Sequence, residues 1–415
     1  MAPRAMVALV SLVAPIRGLV APSATRLPRP TRCGAAVREF RADEVTLERF
    51  VGEVGLAEVT DWEYSGERAN PLDPAQPART KRDLGRSDAD GGGGAPLRLF
   101  AGTVDDPLLR ARGGDARVAL REYSAGCARV AAGEMEAHAR MADCGAVVAL
   151  MGSIDRDESS FFGSAAASDP AFVEAWVANL GVDPPRAGAR WLVFEWVGVA
   201  TIASLSAAGR VNPLLAPPVA GGGLFGRVAA PAWRLRDRVA FARRCAAGCV
   251  RAVAALHDAG LAHGSLSGSA FALDSRGQDK SLRPTNAALV RVKLQFLGFA
   301  SPATAPAIAE DLGALGYVLL ELLLSPSLAD DDDPEPPAAD GDALKRLYDD
   351  IFEKDVGALR DYVAAEPGWA TAVDVLDENA GAGWDAIRLC LQAADPGGAG
   401  SFLTARTLLN SPFFT

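Results

Sequence analysis

The stretch LHDAGLAHGSLSGSAFALD, residues 256–274, contains 2 histidines and 3 serines, and one of these histidines lies close to the serines. His263, Ser265 and Ser267 are the residue types of a serine hydrolase, in which a histidine takes the proton from a nucleophilic hydroxyl. The spacing argues against that chemistry, because Leu266 occupies the nucleophile position of the Gly-x-Ser-x-Gly match and the chain has only 3 histidines. The hydrolase hypothesis is therefore rejected, and the stretch needs another interpretation.

A second pair of complementary residues lies upstream of this stretch. Arg121 belongs to the β-prone run VALREY, and Glu134 belongs to the helix-like segment AGCARVAAGEMEAHARMA. The two residues carry opposite charges on neighbouring β-prone and helix-like segments.

Charge and composition limit the kinds of partner. The net charge is -10 and the sequence pI is about 5.0, which excludes nucleic acid and anionic membranes as expected partners because polyanions need a basic surface. The 6 cysteines lack the C-x-x-C spacing of a zinc site. Outside the N-terminus no run approaches about 18 uncharged apolar residues, so we expect no membrane span.

The N-terminus has the composition of a targeting presequence. It carries arginines but no acid before Glu39, together with the apolar run MVALVSLVAP. This pattern predicts a plastid presequence over residues 1–44, with a secretion signal or a disordered basic tail as alternatives.

The rest of the chain changes character along its length. Residues 45–95 contain prolines, charged residues and the run GGGG, and this composition predicts an N-terminal arm and a glycine-rich hinge. Residues 96–198 contain short β-prone runs, whereas 199–415 contain long helical patterns. A small β-rich part and a larger helical part predict an α+β fold with two lobes.

Seven segments within residues 96–415 resemble, in order and spacing, the landmarks of a protein kinase domain. They are VALREY, the Glu134 helix, WLVFEWV, LHDAGLAHGSLSGSAFAL, VKLQFLGFA, EDLGALGYVLLELL and SFLTARTLLNSPFF. The resemblance implies a two-lobed kinase-like fold. It also implies the family's roles: a glycine-rich loop and a strand lysine for the phosphates, an aspartate as base, and an asparagine and an aspartate for Mg²⁺.

Measured against that resemblance, the catalytic positions are degenerate. Ser265 replaces the base and cannot accept a proton near neutral pH. Ser267 replaces a lysine that steadies the γ-phosphate. Ala270 and Phe296 replace the two metal ligands, and neither carries an oxygen for Mg²⁺. We therefore expect no catalytic residue, no metal site and no ATP or magnesium cofactor.

Two further positions belong to the implied nucleotide cleft. Arg121 stands where the phosphate-binding lysine is expected, and a planar guanidinium is a poor substitute for a compact ammonium group. The resemblance implies a structural salt bridge from Arg121 to Glu134 on the helix, with Glu136 as the alternative partner if the helix register shifts. Residues 101–106, AGTVDD, stand where we expect the glycine-rich loop, and their side chains prevent a phosphate cradle. A second glycine match, GGGLFGRV at 221–228, follows the cleft strands instead of preceding them and predicts a flexible insertion.

The positions that support the loop are retained, according to the same resemblance. His263 and Leu266 occupy anchoring and core positions, and Asp311 stands where an acid hydrogen-bonds the catalytic-loop backbone. Few residues separate Gly298 from Asp311, so the activation segment is predicted to be missing, and Phe402 stands where its arginine partner is expected.

Three hypotheses for function follow. The first is a catalytically inactive pseudokinase that regulates or scaffolds an unknown protein partner, such as an active kinase or a plastid complex. The second is a divergent Ser/Thr protein kinase with residual ATP binding through Arg121. The third is a structural module whose old cleft is filled by side chains such as Phe194 and Phe296.

Overall fold

The protein is a mixed α/β structure in which a six-stranded sheet precedes a helical region. The computed structural model describes residues 38–54, 57–60, 80–83, 97–105, 116–142, 144–154, 169–185, 188–207, 234–274, 290–330, 334, 336–337, 339–393 and 403–414. These residues belong to one compact unit, Ala35–Thr415. The expected α+β class is consistent with this arrangement.

Twelve strands occur in the described part of the chain. They are β1 (Arg38–Phe40), β2 (Val45–Val54), β3 (Ala57–Thr60), β4 (Thr80–Asp83), β5 (Leu97–Val104), β6 (Arg117–Tyr123), β7 (Leu150–Ile154), β8 (Arg190–Glu195), β9 (Leu261–Ala262), β10 (Phe271–Asp274), β11 (Arg291–Leu294) and β12 (Ser301–Pro302). The main sheet has the order β1-β7-β8-β6-β5-β2, and β1 is parallel to β7 while the other neighbours are antiparallel. The pairs β3–β4, β10–β11 and β9–β12 form three small sheets.

Nine α-helices occur in the same residues. They are α1 (Ala128–Arg140), α2 (Pro170–Leu180), α3 (Ile202–Ala207), α4 (Leu235–Asp258), α5 (Ala305–Leu323), α6 (Gly341–Arg346), α7 (Val356–Ala365), α8 (Ala370–Leu391) and α9 (Ala405–Leu408). Helix α8 is interrupted by non-helical dihedral angles at residues 378–381. None of the described helices is both long and apolar enough to cross a membrane.

The main sheet is covered on both faces, as the alternation of its side chains shows. Trp191 and Val193 of β8 pack in a cluster with Trp176 of α2, whereas Leu192 and Phe194 pack on the opposite face in a cluster with Ala131 of α1. Because successive side chains of a strand point to opposite faces of the sheet, one short strand can contribute residues to two hydrophobic clusters. The face toward α1 is the one that carries Arg121.

The helical region has its own core around α4 and α5. The predicted stripe of α4 is confirmed, since all of its members are buried: Phe241, Cys245, Cys249, Val253 and Leu256. Helix α5 is apolar on most sides, as its sequence predicted, and packs against α4 and α8.

Two predicted segments contain strands of the main sheet. The presequence was expected to extend to residue 44, but β1 already pairs with β7 and buries Phe40. The arm was expected to begin at 45, but residues 45–54 form β2, an edge strand of the main sheet. Residues 101–104 of AGTVDD lie inside β5, and a strand there agrees with the expectation that this segment does not cradle phosphate. Residues 1–37 and the glycine match at 221–228 lie outside the described residues.

Candidate functional site

The candidate site is built around Arg121, on the third strand of the β2–β5–β6 meander. Its guanidinium donates from Nη1 to Oε1 of Glu134 at 2.9 Å and from Nη2 to Oε1 of Gln295 at 3.0 Å. Arg121 and Glu134 are only 2% and 1% exposed, so this is a fully buried ion pair. The predicted strand–helix pair is confirmed, and the alternative partner Glu136 is exposed.

Two aromatic rings also contact the Arg121 guanidinium. Its central carbon lies 4.0 Å from the centre of the Phe194 ring and 4.4 Å from the centre of the Phe296 ring. Both rings are buried, so these cation–π contacts are shielded from water. Phe296 has a left-handed backbone with φ 63°, which is unusual for a bulky residue and places its ring against the arginine.

The carboxylate of Glu134 is held in its ionised form by its neighbours. Burial by itself raises the pKa of Glu134, but the hydrogen bond from His138 and the charge of Arg121 outweigh burial and hold that pKa below its usual range. His138 donates from Nε2 to Oε1 of Glu134 at 3.3 Å from the next turn of α1. The backbone N–H of Leu297 also lowers the pKa of Glu134. The charges in this part of the protein are therefore paired.

Two glycines let helix α1 reach the segment that contains Phe296. A β-carbon added to Gly133 would lie 2.6 Å from the carbonyl oxygen of Gly298, and one added to Gly298 would lie 2.4 Å from the Val130 side chain. Such distances are too short for any larger residue without movement of the backbone. The small residues thus set the distance between Glu134 and Leu297.

The loop that contains His263 is fixed by Asp311 from α5. Asp311 accepts the backbone N–H of His263 at 2.6 Å and that of Gly264 at 2.9 Å. It also accepts a hydrogen bond from Nε2 of His257 at 3.0 Å. The expected contact between an acid on a buried helix and the loop backbone is therefore present.

The imidazole of His263 serves as part of this anchor. Its Nε2 donates to the carbonyl of Gln295 at 2.9 Å, and its Nδ1 accepts the backbone N–H of Ser265 at 3.3 Å. Burial lowers the pKa of His263, although the Asp311 charge and the hydrogen bond to Gln295 oppose that shift. A neutral imidazole bonded to two backbone groups is a structural support, not a base for Ser265.

The degenerate positions form ordinary polar and apolar contacts. The Ser265 hydroxyl lies 3.4 Å from Nδ1 of His263, and the hydroxyls of Ser267 and Ser269 are 2.8 Å apart. Ala270 is fully buried and packs in the helical core. A serine hydroxyl is not a general base near neutral pH, and the Ala270 methyl group carries no oxygen for a metal ion.

The chain runs from Gly298 to helix α5 through residues 299–304, which include β12 paired with β9. The short connection expected in place of an activation segment is therefore present. Phe402, which was expected to replace the arginine partner of the activation segment, lies outside the described residues.

Sequence reasoning missed several partners of the site. Gln295 links Arg121 to the 263–270 loop, because its Nε2 also donates to the Ser269 carbonyl at 2.8 Å. The i,i+4 spacing of Glu134 and His138 on one helix could have revealed that pair. Lys293, buried next to Glu195 and 3.5 Å from Asp274, joins β11 to the end of β8, but no local pattern indicates these contacts.

Comparisons with known proteins add no assignment. No family model matches the chain, and no curated protein matches its sequence. Within the described residues, no group of three histidine, cysteine, aspartate or glutamate side chains is arranged to hold a metal ion.

Proposed function

We propose that this protein is a two-lobed, kinase-like scaffold that does not transfer phosphate and acts in a plastid by binding a protein partner. The residues that would perform catalysis are replaced, while those that would position the catalytic loop are present. The proposal therefore assigns function to the surface of the fold, through regulation or scaffolding of a partner such as an active kinase or a plastid complex.

The observation that carries the proposal is the set of buried contacts that Arg121 makes within the protein. Its guanidinium is bonded to Glu134 and Gln295 and contacts the rings of Phe194 and Phe296. A nucleotide phosphate at Arg121 would compete for this guanidinium with the buried Glu134 carboxylate and with the two rings. Any weakening of the Arg121–Glu134 pair would leave a buried carboxylate poorly compensated, which is unfavourable.

The position of Phe296 supports the same conclusion. The resemblance implies that this residue replaces a magnesium ligand, and its ring lies against the arginine that replaces the phosphate-binding lysine. The two replacements thus contact each other. Their mutual contact favours a structural role for both.

Two features support the kinase-like arrangement itself. Arg121 lies on the third strand of an antiparallel meander and pairs with a glutamate on the next helix, as the resemblance implies. Asp311 of a buried helix binds the loop that contains His263. Plastid targeting rests on the composition of residues 1–44 alone.

Phosphate transfer by the full-length protein tests the proposal. The assay uses radiolabelled ATP with magnesium and a generic protein substrate, and it compares the wild type with the Ser265→Ala variant. We expect background transfer from both proteins and equal rescue by both in cells that lack the chain. Transfer by the wild type above background would overturn the proposal, whether or not Ser265→Ala abolishes it. Secretion of a reporter fused to residues 1–44 would overturn its plastid component.

A further inference from the structure

The other buried acids pair with arginine or histidine, whereas Glu321 has no such partner among the described residues. It lies near the end of α5 and is only 7% exposed. Among the described residues, no arginine, lysine or histidine forms an ion pair with it and no donor forms a hydrogen bond to it. An ionised carboxylate in such a place carries a large desolvation cost.

Several elements surround the Glu321 carboxylate. A β-carbon on Gly268 would lie 2.7 Å from its Oε2, and one on Gly341 would lie 3.5 Å from it. The first of these glycines belongs to the 263–270 loop, and the second begins α6. The carboxylate therefore lies where α5, that loop and α6 meet.

The charged groups that face Glu321 are Asp340, which caps α6, and Asp342 in its first turn, and both have the same sign as the Glu321 carboxylate. Helix α4 contributes the Cys249 thiol, which is neutral because burial raises its pKa. The neighbouring residues of the 263–270 loop and α3, Gly268 and Ala203, have no ionisable side chain. Asp340 is held in place because its Oδ1 caps α6 by accepting the Ala343 N–H at 2.7 Å.

We propose that Glu321 is a pH-sensitive latch: its neutral carboxyl lets α6 dock on α5, and its ionisation releases α6 with the residues just before it. An ionised Glu321 would be both unpaired in a buried site and repelled by Asp340 and Asp342. Moving α6 away relieves both costs at once, because the carboxylate gains water and distance from the two aspartates. This inference does not depend on the proposed scaffold function.

The direction of the pH dependence follows from the pKa of Glu321. Burial, followed by the charges of Asp340 and Asp342, raises that pKa from 4.5 to about 7. Because the pKa of Glu321 is higher in the docked form than in the released form, the docked form binds more protons between these two pKa values. Docking is therefore strongest below pH 4.5, weakens as the pH rises toward 7, and stays weak above it.

Hydrogen exchange of the full-length protein tests the latch. Protection factors for the α6 amides, corrected for intrinsic exchange, are measured at about pH 5 and about pH 8, and we expect protection to fall at least about tenfold at the higher pH. Glu321→Gln should remain protected at both values. The control Glu310→Gln removes an exposed acid from the same helix and should behave like the wild type.

A second variant keeps the test decisive if Glu321→Gln does not fold. Asp340→Asn retains a residue that caps a helix equally well but removes the neighbouring charge that raises the pKa of Glu321 more. It should move the midpoint of the protection change to lower pH. A pH-independent wild type, a pH-dependent Glu321→Gln or an unmoved midpoint in Asp340→Asn would each overturn the latch.

Discussion

The guanidinium carbon of Arg121 lies 4.4 Å from the centre of the Phe296 ring. Under the resemblance to protein kinases, these residues occupy the positions of the phosphate-binding lysine and of a magnesium-binding aspartate. An aspartate at 296 would place a second carboxylate beside Glu134, whereas a phenyl ring stabilises the cation without adding charge. The two replacements are therefore physically compatible with each other.

Replacement of Arg121 should destabilise the fold even when the charge is kept. Arg121→Lys loses the fork that reaches both Glu134 and Gln295 and should cost about 2 kcal/mol or more in the free energy of unfolding. Arg121→Met removes the cation and should cost about 3–5 kcal/mol because Glu134 remains buried and unpaired. Urea unfolding measures both values.

The exposed Arg236 provides the matched control, since 84% of its side chain is accessible. Arg236→Lys should change the free energy of unfolding by no more than about 0.5 kcal/mol. Equal effects of lysine at positions 121 and 236 would contradict a structural role for the Arg121 contacts.

Two helical glycines should respond in opposite ways to alanine. Gly133→Ala places a methyl group 2.6 Å from the Gly298 carbonyl and should cost about 1–3 kcal/mol. Gly313→Ala meets no atom within 4 Å and should stabilise α5 by up to about 1 kcal/mol. Thermal unfolding distinguishes the two. If both variants gain stability, α1 does not pack against the Gly298 segment as described.

Loss of the Asp311 charge should loosen the 263–270 loop. Asp311→Asn weakens the charge-assisted hydrogen bonds from the His263 and Gly264 amides and should cost about 2 kcal/mol or more. Hydrogen exchange at those two amides should accelerate, whereas Asp374→Asn, at an exposed position, should leave it unchanged. Unaltered exchange in the Asp311 variant would show that the loop is held by other contacts.

The histidine beneath the loop should make stability depend on pH. Burial holds the pKa of His263 below its ordinary value of 6.5, so the unfolded chain binds protons more readily. The contribution of neutral His263 to the free energy of unfolding is therefore complete above pH 6.5 and is lost as the pH falls below that value. The difference in unfolding free energy between wild type and His263→Gln should shrink on acidification. A constant difference would mean that His263 does not titrate on unfolding.

Much of the site could be predicted because its signals are local or lie at recognisable spacings. The α4 stripe follows from helical periodicity. The Arg121–Glu134 pair and the Asp311 contact were expected from the resemblance to protein kinases. The edge strand β2 was missed because the register shifts at Leu47/Arg49 and Phe50/Gly52 interrupt the two-residue alternation that identifies a strand.

The remaining contacts depend on pairing between distant residues. Phe194 and Phe296 were expected to fill the cleft in one hypothesis, but their shared contact with Arg121 requires β6, β8 and the residues after β11 to meet. Gln295 and Lys293 likewise find partners far away in sequence. No periodicity within a single segment contains this information.

Nucleotide binding by the full-length protein tests the central claim most directly. The melting temperature is measured during titration with ATP and ADP, with and without magnesium, because a ligand that binds only the folded state must raise it. The account predicts no saturable rise under any of these conditions, since Arg121 is already bonded and the metal positions lack oxygen ligands. A saturable, magnesium-dependent rise in melting temperature would contradict it.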